Sequence, residues 1–240
     1  MKIFEVGGCV RDELLGLESK DIDFTVVLDD ISLSVDEGWD KMLKWLKSEG
    51  FELFLETKDC FTVRGKFPKG HKNEGLVGDF VMSRKEVGYI DGTRRPILEL
   101  GTLEDDLMRR DFTINSLCKD EDGKIIDLFH GKRDLKHKML RTPLDPMVTL
   151  LDDPLRMLRG LRFSVTKTFG FDHELWECMN NGHVVEKLIE VVSQERIREE
   201  LTKMFKHDTL ESIDLLNKFP RLKKFVFKKG NMWLMPTTKK

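Results

Sequence analysis

The sequence predicts an α/β first half, a mixed sheet packed on helices, followed by an all-α second half. Three observations carry this. Short apolar, β-rich runs broken by glycines recur up to Met82. From about residue 150 apolar residues recur at helical spacing instead. Pro143 and Pro146 punctuate the change. Runs of period two interleaved with helical pattern give packed α/β layers, whereas sustained 3.6-residue periodicity gives helices on helices. The expected domains are 1–145 and 146–240. The 240 residues suffice for one large domain or two modest ones, each with its own core.

Element by element, residues 3–6 read as a strand ended by Gly7-Gly8, and a helix follows from near Val10 to Gly16. Phe24–Leu28 reads as a strand that starts at Asp21. A longer helix is predicted over 34–48, with Trp39, Met42, Leu43 and Leu46 on one face and Gly50 at its end. Strands follow at 51–55, 60–64 and 76–82. The Lys- and Gly-rich stretch Lys66–Gly75 between the last two reads as a mobile loop. In the second half, helices are predicted from Asp152-Asp153-Pro154 to about Phe163, and over 173–189, 194–206 and 209–219.

Composition narrows the classes. Hydrophobic residues make up 40% and charged residues 35%, an ordinary folded composition with extra charge. The net charge of −2 excludes a globally basic chain, so any nucleic-acid contact needs a local basic surface. One such stretch exists. From Leu215 onward no acidic residue occurs, while Lys218, Arg221, Lys223, Lys224, Lys228, Lys229, Lys239 and Lys240 do. It reads equally as a solvated terminus or as a contact for an RNA backbone. Cys9, Cys60, Cys118 and Cys178 are scattered without metal-ligand spacing, as expected of free thiols in a reducing compartment. The N-terminus lacks the apolar run of a signal peptide, and no stretch has the length of a membrane span. A soluble, cytoplasmic protein without membrane contact is expected. Nothing in the sequence speaks to its oligomeric state.

The segment VGGCVRDELLGLESKDIDF is the strongest local feature. A strand has a side-chain period of two, so Asp21 and Asp23 share a face while Ile22 points away. Adjacent carboxylates repel unless a cation lies between them, and Mg²⁺ prefers such oxygen ligands together with substrate phosphates. Upstream, Gly7-Gly8 lets a ligand approach the backbone, and the following helix offers N–H groups and the positive end of its dipole. Arg11 falls in that first turn, where a cation is unfavourable unless an anion is close. The same glycines also describe a plain tight turn.

Two further segments carry charge. In LEDDLMRRDFTINSL, Arg109, Arg110 and Asp111 cluster, which also describes an exposed helix end laced with salt bridges. In DDPLRMLRGLRF, Asp153 before Pro154 reads as an N-cap with proline at the first helical position. Arg156, Arg159 and Arg162 cover one flank of that helix, while Leu155, Leu158 and Leu161 face the core. A solvated face is the plain account of these arginines.

Taken in order, these segments resemble the bacterial-type (class II) tRNA nucleotidyltransferase (CCA-adding enzyme) and poly(A) polymerase family, within the polymerase-β-like nucleotidyltransferase superfamily. The resemblance spans about residues 1–205. It rests on Gly7–Asp23, on Arg109–Asn115, on Asp153–Arg159, and on Ser193–Leu201, which is similar to the family's neck helix. It implies a nucleotidyltransferase head followed by a helical neck. Asp21 and Asp23 then match the catalytic metal ligands for a pair of Mg²⁺ ions, and Asp79 the place of a third acidic residue. Gly8 and Arg11 match triphosphate binders, Arg110 a nucleotide contact, and Asp111 and Asn115 neighbours of the ribose. Arg159 and Arg162 match phosphate and nucleotide contacts.

Asp153 and Arg156 resemble the family's base-reading pair. Cytosine and adenine each present an exocyclic amino donor beside a ring-nitrogen acceptor. A carboxylate that accepts from the first and a guanidinium that donates to the second therefore fit C and A and oppose G and U. At i and i+3 on a helix the two can lie side by side.

The implied activity is template-independent addition of CMP and AMP, from CTP and ATP, to an RNA 3′-hydroxyl. CCA addition or repair on tRNA leads. Poly(A) or single-nucleotide addition, and transfer to a protein or small molecule, are the alternatives. The sequence departs from the family in carrying Asp152 where relatives have Glu, and in stopping at Lys240, short of the family's body and tail domains. His207-Asp208 stands without the other ligands of a phosphohydrolase site and reads as a helix boundary.

Overall fold

A computed structural model describes residues 1–19, 22–90 and 96–229. The chain forms two compact units. The first comprises Met1–Gly88 and Pro96–Lys132, and the second runs from Arg133 onward together with a short segment beginning at Tyr89.

The first unit is built on a sheet of seven strands. Its elements are β1 (Lys2–Val6), α1 (Gly8–Leu14), β2 (Asp23–Val27), α2 (Val35–Ser48), β3 (Glu52–Thr57), β4 (Thr62–Lys66), β5 (Val77–Met82), β6 (Arg84–Tyr89), β7 (Pro96–Leu100), α3 (Leu103–Met108), β8 (Leu117–Lys119) and β9 (Ile125–Asp127). The strand order is β3-β4-β5-β2-β1-β8-β9, and β6 pairs with β7 separately. β2 and β5 run parallel, and the other pairs of the large sheet are antiparallel. The sheet is therefore mixed, as expected.

Local chemistry accounts for α2. Ser34 and Glu37 form a reciprocal capping box, which satisfies two backbone donors that a helix start otherwise leaves open. Trp39, Met42, Leu43 and Leu46 are all buried. They pack with Phe24, Val26, Phe80 and Met82 in one cluster on one face of the sheet. The opposite face carries Phe4, Val6 and Cys118, packed with Leu107 of α3. Alternation along β2 thus sends Phe24 and Val26 toward α2, and Asp23 and Thr25 to the α3 face.

The Lys66–Gly75 stretch corrects an expectation, because it is held in place. Lys66 ends β4, and the buried Phe67 ring lies 5.0 Å from Phe24 and 5.3 Å from Phe80. Phe67 N–H donates to Leu76 O at 3.0 Å, and Gly70 N–H donates to Glu74 Oε2 at 2.8 Å. One aromatic side chain anchors a segment whose composition reads as a flexible linker.

Helix α4 (Gly131–Lys136) spans the division. The second unit then carries β10 (Met139–Leu140), α5 (Pro146–Asp152), α6 (Leu155–Lys167), β11 (Gly170–Phe171), α7 (His173–Met179), α8 (Gly182–Val191), α9 (Gln194–His207), α10 (Thr209–Asn217) and α11 (Pro220–Lys224). Pro143–Pro146, read as a boundary, is where α5 begins, with Asp145 capping the N–H groups of Met147 and Val148. Leu155, Leu158 and Leu161 are buried, each burial contributing about 1.5–3 kcal/mol. The stretch 173–189 is split by Asn180 and Asn181, and the Asn181 side chain caps α8. His207 ends α9, and Asp208 accepts from Glu211 N–H to cap α10, as expected. Lys218, Arg221, Lys223, Lys224 and Lys228 are exposed, while the Lys229 side chain, Lys239 and Lys240 lie outside the described residues. No helix among the described residues is long and apolar enough to cross a membrane.

Candidate active site

The sheet places two carboxylates side by side. Asp23 of β2 and Asp79 of β5 are direct partners on adjacent parallel strands. Adjacent strands lie about 4.8 Å apart, and in-register residues point to the same face. Asp23 is exposed, and Asp79 is 35% exposed with Arg64 Nε 3.8 Å from its Oδ1. Asp21 lies outside the described residues. The register itself depends on Gly78, where a Cβ would stand 2.6 Å from the Phe24 ring. As a donor set, this pair is oxygen-only and solvent-accessible, which fits Mg²⁺. Asp23 and Asp79 could hold it.

The turn before α1 stands next to this pair, since Val6 is the β1 partner of Asp23. Gly7 has φ 78 and ψ −128, a conformation open essentially to glycine alone. Its N–H donates to Leu117 O, and its carbonyl accepts from Arg11 N–H, both at 3.1 Å. No side chain among the described residues caps α1. Gly8 is the first residue of that helix.

Arg11 is buried rather than reaching outward. Its Nε and Nη2 each donate to the Asp12 carboxylate at 2.9 Å, and its Nη1 donates to Asn115 Oδ1. Asn115 Nδ2 in turn donates to Asp111 Oδ1 at 2.8 Å, which also accepts from Phe112 N–H. Arg11, Asn115 and Asp111, widely separated in sequence, are thus brought into one hydrogen-bonded chain. Asp12, which sequence reasoning passed over, is its fourth member.

Sequence reasoning also missed Asp106. Its carboxylate is completely buried on α3. Oδ1 accepts from Arg109 Nε at 3.0 Å and Nη2 at 2.6 Å, and Oδ2 accepts from Arg110 Nη2 at 3.1 Å and from the Thr25 hydroxyl at 2.8 Å. Burial alone would raise its pKa. The charges of Arg109 and Arg110, with the bonds from Arg109 and Thr25, outweigh that and hold the carboxyl well below its usual range. The i, i+3 and i+4 spacing to two arginines was the available signal.

In the helical unit, Asp153 is extended at φ −138 and ψ 94, and its Oδ1 accepts from Leu155 N–H at 3.1 Å. Helix α6 thus starts one residue later than expected, with Pro154 at its N-cap and Asp153 accepting from its first N–H. Arg156 Nη1 donates to Thr149 O, a carbonyl in α5, at 3.1 Å. The Arg159 guanidinium lies 5.9 Å from the centre of the Phe163 ring. Arg162 is engaged within the helix packing. Its Nε bonds Glu200 of α9 at 2.5 Å, and its guanidinium lies 4.4 Å from the same ring.

The family profile described as Poly A polymerase head domain matches residues 3–141. The tRNA nucleotidyltransferase cca2 of Schizosaccharomyces pombe is 36% identical over 211 residues, covering 83% of this chain and 42% of that protein. A CCA-adding enzyme of Lactobacillus helveticus is 34% identical over 201 residues, covering 83% of this chain and 45% of its own length. Among solved structures, the Thermotoga maritima CCA-adding enzyme complexed with tRNA superposes with a TM-score of 0.71 at 28% identity, over 98% of this chain and 50% of that one. The chain spans less than half the length of these two relatives. With a matched head profile and relatives at this identity, the chain belongs to the poly(A) polymerase head-domain family of nucleotidyltransferases, the family of the CCA-adding enzymes.

Proposed function

We propose that this protein transfers CMP and AMP from CTP and ATP to an RNA 3′-hydroxyl, and that its reaction is CCA addition or repair on tRNA. The observation that carries the reading is the direct pairing of Asp23 with Asp79, beside the Gly7 turn. Relatives named CCA-adding enzymes, and neighbours solved with tRNA and with CTP, support the same acceptor and substrates.

In this reading Asp23, Asp79 and Asp21 hold Mg²⁺, which when bound acidifies the attacking hydroxyl and neutralises the leaving pyrophosphate. The chain's own residues do the rest. Gly8 and Arg11 bind the triphosphate, Arg110 contacts the nucleotide, and Asp111 and Asn115 orient the ribose through the chain that ends on Arg11. Asp153 and Arg156 read the pairing edge of C or A. Arg159 contacts the nucleotide and its phosphates, and Arg162, paired with Glu200, lines the same helix. The exposed lysines after Leu215 bind RNA phosphates. The free thiols suit a reducing, cytoplasmic setting.

Transcript extension tests the proposal, using tRNAs that end before, within and after CCA and sequencing the products. Ordered restoration of C, C and A is expected from CTP and ATP, with GTP and UTP excluded. A homopolymeric A tail would replace tRNA repair with poly(A) synthesis. Label appearing on protein rather than RNA, when lysate and labelled nucleotides are supplied, would reject the RNA acceptor.

A further inference from the structure

Arg109 and Arg110 are neighbours in sequence and share one buried carboxylate, yet their surroundings differ. Arg109 takes Asp106 Oδ1 with two of its nitrogens, and its Nη1 also meets Glu86 Oε1 at 3.4 Å. Arg110 reaches only Oδ2, at 3.1 Å, and shares that oxygen with the Thr25 hydroxyl. The Arg110 Nε is buried without a hydrogen-bond partner among the described residues. Its Nη1 lies so close to the Gly7 backbone that a Cβ there would be 2.7 Å away. Three guanidinium groups, those of Arg84, Arg109 and Arg110, stand near Asp106 and Glu86, and Arg109 hydrogen-bonds both carboxylates. Arg110 is therefore the less compensated cation, pressed against the glycine turn.

Thr25 adds a mechanical link. It stands two residues after Asp23 on the same face of β2, and its hydroxyl is fully buried against Asp106. A single carboxylate oxygen thus ties the strand that carries Asp23 to the guanidinium at the turn. We infer that Asp106 and Thr25 are positioning residues that set Arg110 at a fixed place relative to Asp23, so that the nucleotide phosphates meet arginine and metal-binding carboxylate in register. The inference rests on the reading of Arg110 as a nucleotide contact.

The test uses the full chain, a tRNA transcript lacking the terminal A, and ATP as the varied substrate. Arg110→Ala should raise KM for ATP. If it does not, the reading of Arg110 fails and takes this inference with it. Given that rise, Asp106→Asn should raise KM about tenfold, since a hydrogen bond between charged groups is lost. Combined with Arg110→Ala, it should change KM by no more than about twofold beyond the single variant, because coupled residues are not additive. Thr25→Val should raise KM about threefold with kcat nearly unchanged, and Thr25→Ser should restore it, as expected for one hydroxyl bond. If Asp106→Asn does not fold, the Thr25 pair decides alone. A fall in melting temperature with unchanged KM in Thr25→Val, or multiplicative effects in the double variant, would overturn the inference while leaving the Arg110 reading intact.

Discussion

Gly7 and Gly8 look interchangeable in sequence and are opposite cases in the structure. Replacing Gly7 by Ala forces a side chain into φ 78, ψ −128. Residues held in such regions cost about 1–3 kcal/mol each. At about 2–4 °C per kcal/mol for a chain of this size, the melting temperature should fall by roughly 2–12 °C. The new Cβ would also stand 2.7 Å from Arg110 Nη1. That atom is the end of a flexible side chain, so it moves aside. The consequence falls on nucleotide binding, through the loosened bond to Asp106. Losing a bond between charged groups is worth about 1.5–3 kcal/mol, or at least about tenfold in KM for ATP. Gly8→Ala is the control. Its Cβ would meet Arg11 Nη2 at 3.5 Å, an ordinary contact, and Gly8 has no positive φ. That variant should melt like the wild type, and any rise in its KM would report the approach of phosphate to the backbone. Calorimetry and steady-state kinetics on both proteins decide the matter. Wild-type melting and wild-type KM in Gly7→Ala would refute the reasoning, and so would a Gly8→Ala variant that loses as much stability as Gly7→Ala.

Other outcomes follow from the same geometry. Asp23→Ala should abolish nucleotide transfer at near wild-type stability, because the side chain is exposed. Measurable turnover near the wild-type rate would remove it from the metal site. Asp153→Ala should relax the choice against GTP and UTP more than it slows ATP use. It should also cost about 1 kcal/mol from the lost cap on Leu155. Continued exclusion of both wrong nucleotides would end the pairing-edge argument. Arg162→Ala leaves Glu200 uncompensated with its side chain 8% exposed, and should destabilise by about 3–5 kcal/mol in urea titration. A loss below about 1 kcal/mol would show the pair to be dispensable. Asp106 gives a pH dependence. Its folded pKa lies below the ordinary 3.8, so its contribution is present above that value and is lost as pH falls beneath it. Wild-type stability should therefore drop more steeply below about pH 4 than that of Asp106→Asn, measured by urea unfolding across that range.

Much of this protein is legible one segment at a time. Ser34 and Glu37 announce α2, and the spacing of Trp39, Met42, Leu43 and Leu46 names its buried face, because capping and helical periodicity are local properties of the chain. Asp208 at the start of α10 is equally local. The charged motifs are visible for the same reason, since each is a short segment of the chain. What the sequence left open was pairing at a distance. Nothing near Asp79 marks it as the partner of Asp23; only the parallel register of β2 and β5 does, and that register rests on Gly78 passing the Phe24 ring. Short strands such as β8 and β9 have too few residues to show a period, and Phe67 gives no sign that it will anchor an otherwise polar loop.

The arginines show the division most clearly. The sequence shows that Arg11, Arg109, Arg110, Arg156, Arg159 and Arg162 fall in short charged motifs, and the resemblance implies ligand contacts for all of them but Arg109. The tertiary structure decided how each is held. Arg109 is absorbed by Asp106 and Glu86 and Arg162 by Glu200, while Arg110 is left against the Gly7 turn with an Nε that has no hydrogen-bond partner among the described residues. A guanidinium is available to a ligand only to the extent that buried carboxylates have not already compensated it, and which carboxylates are buried beside it is settled by packing between elements, not by order along the chain.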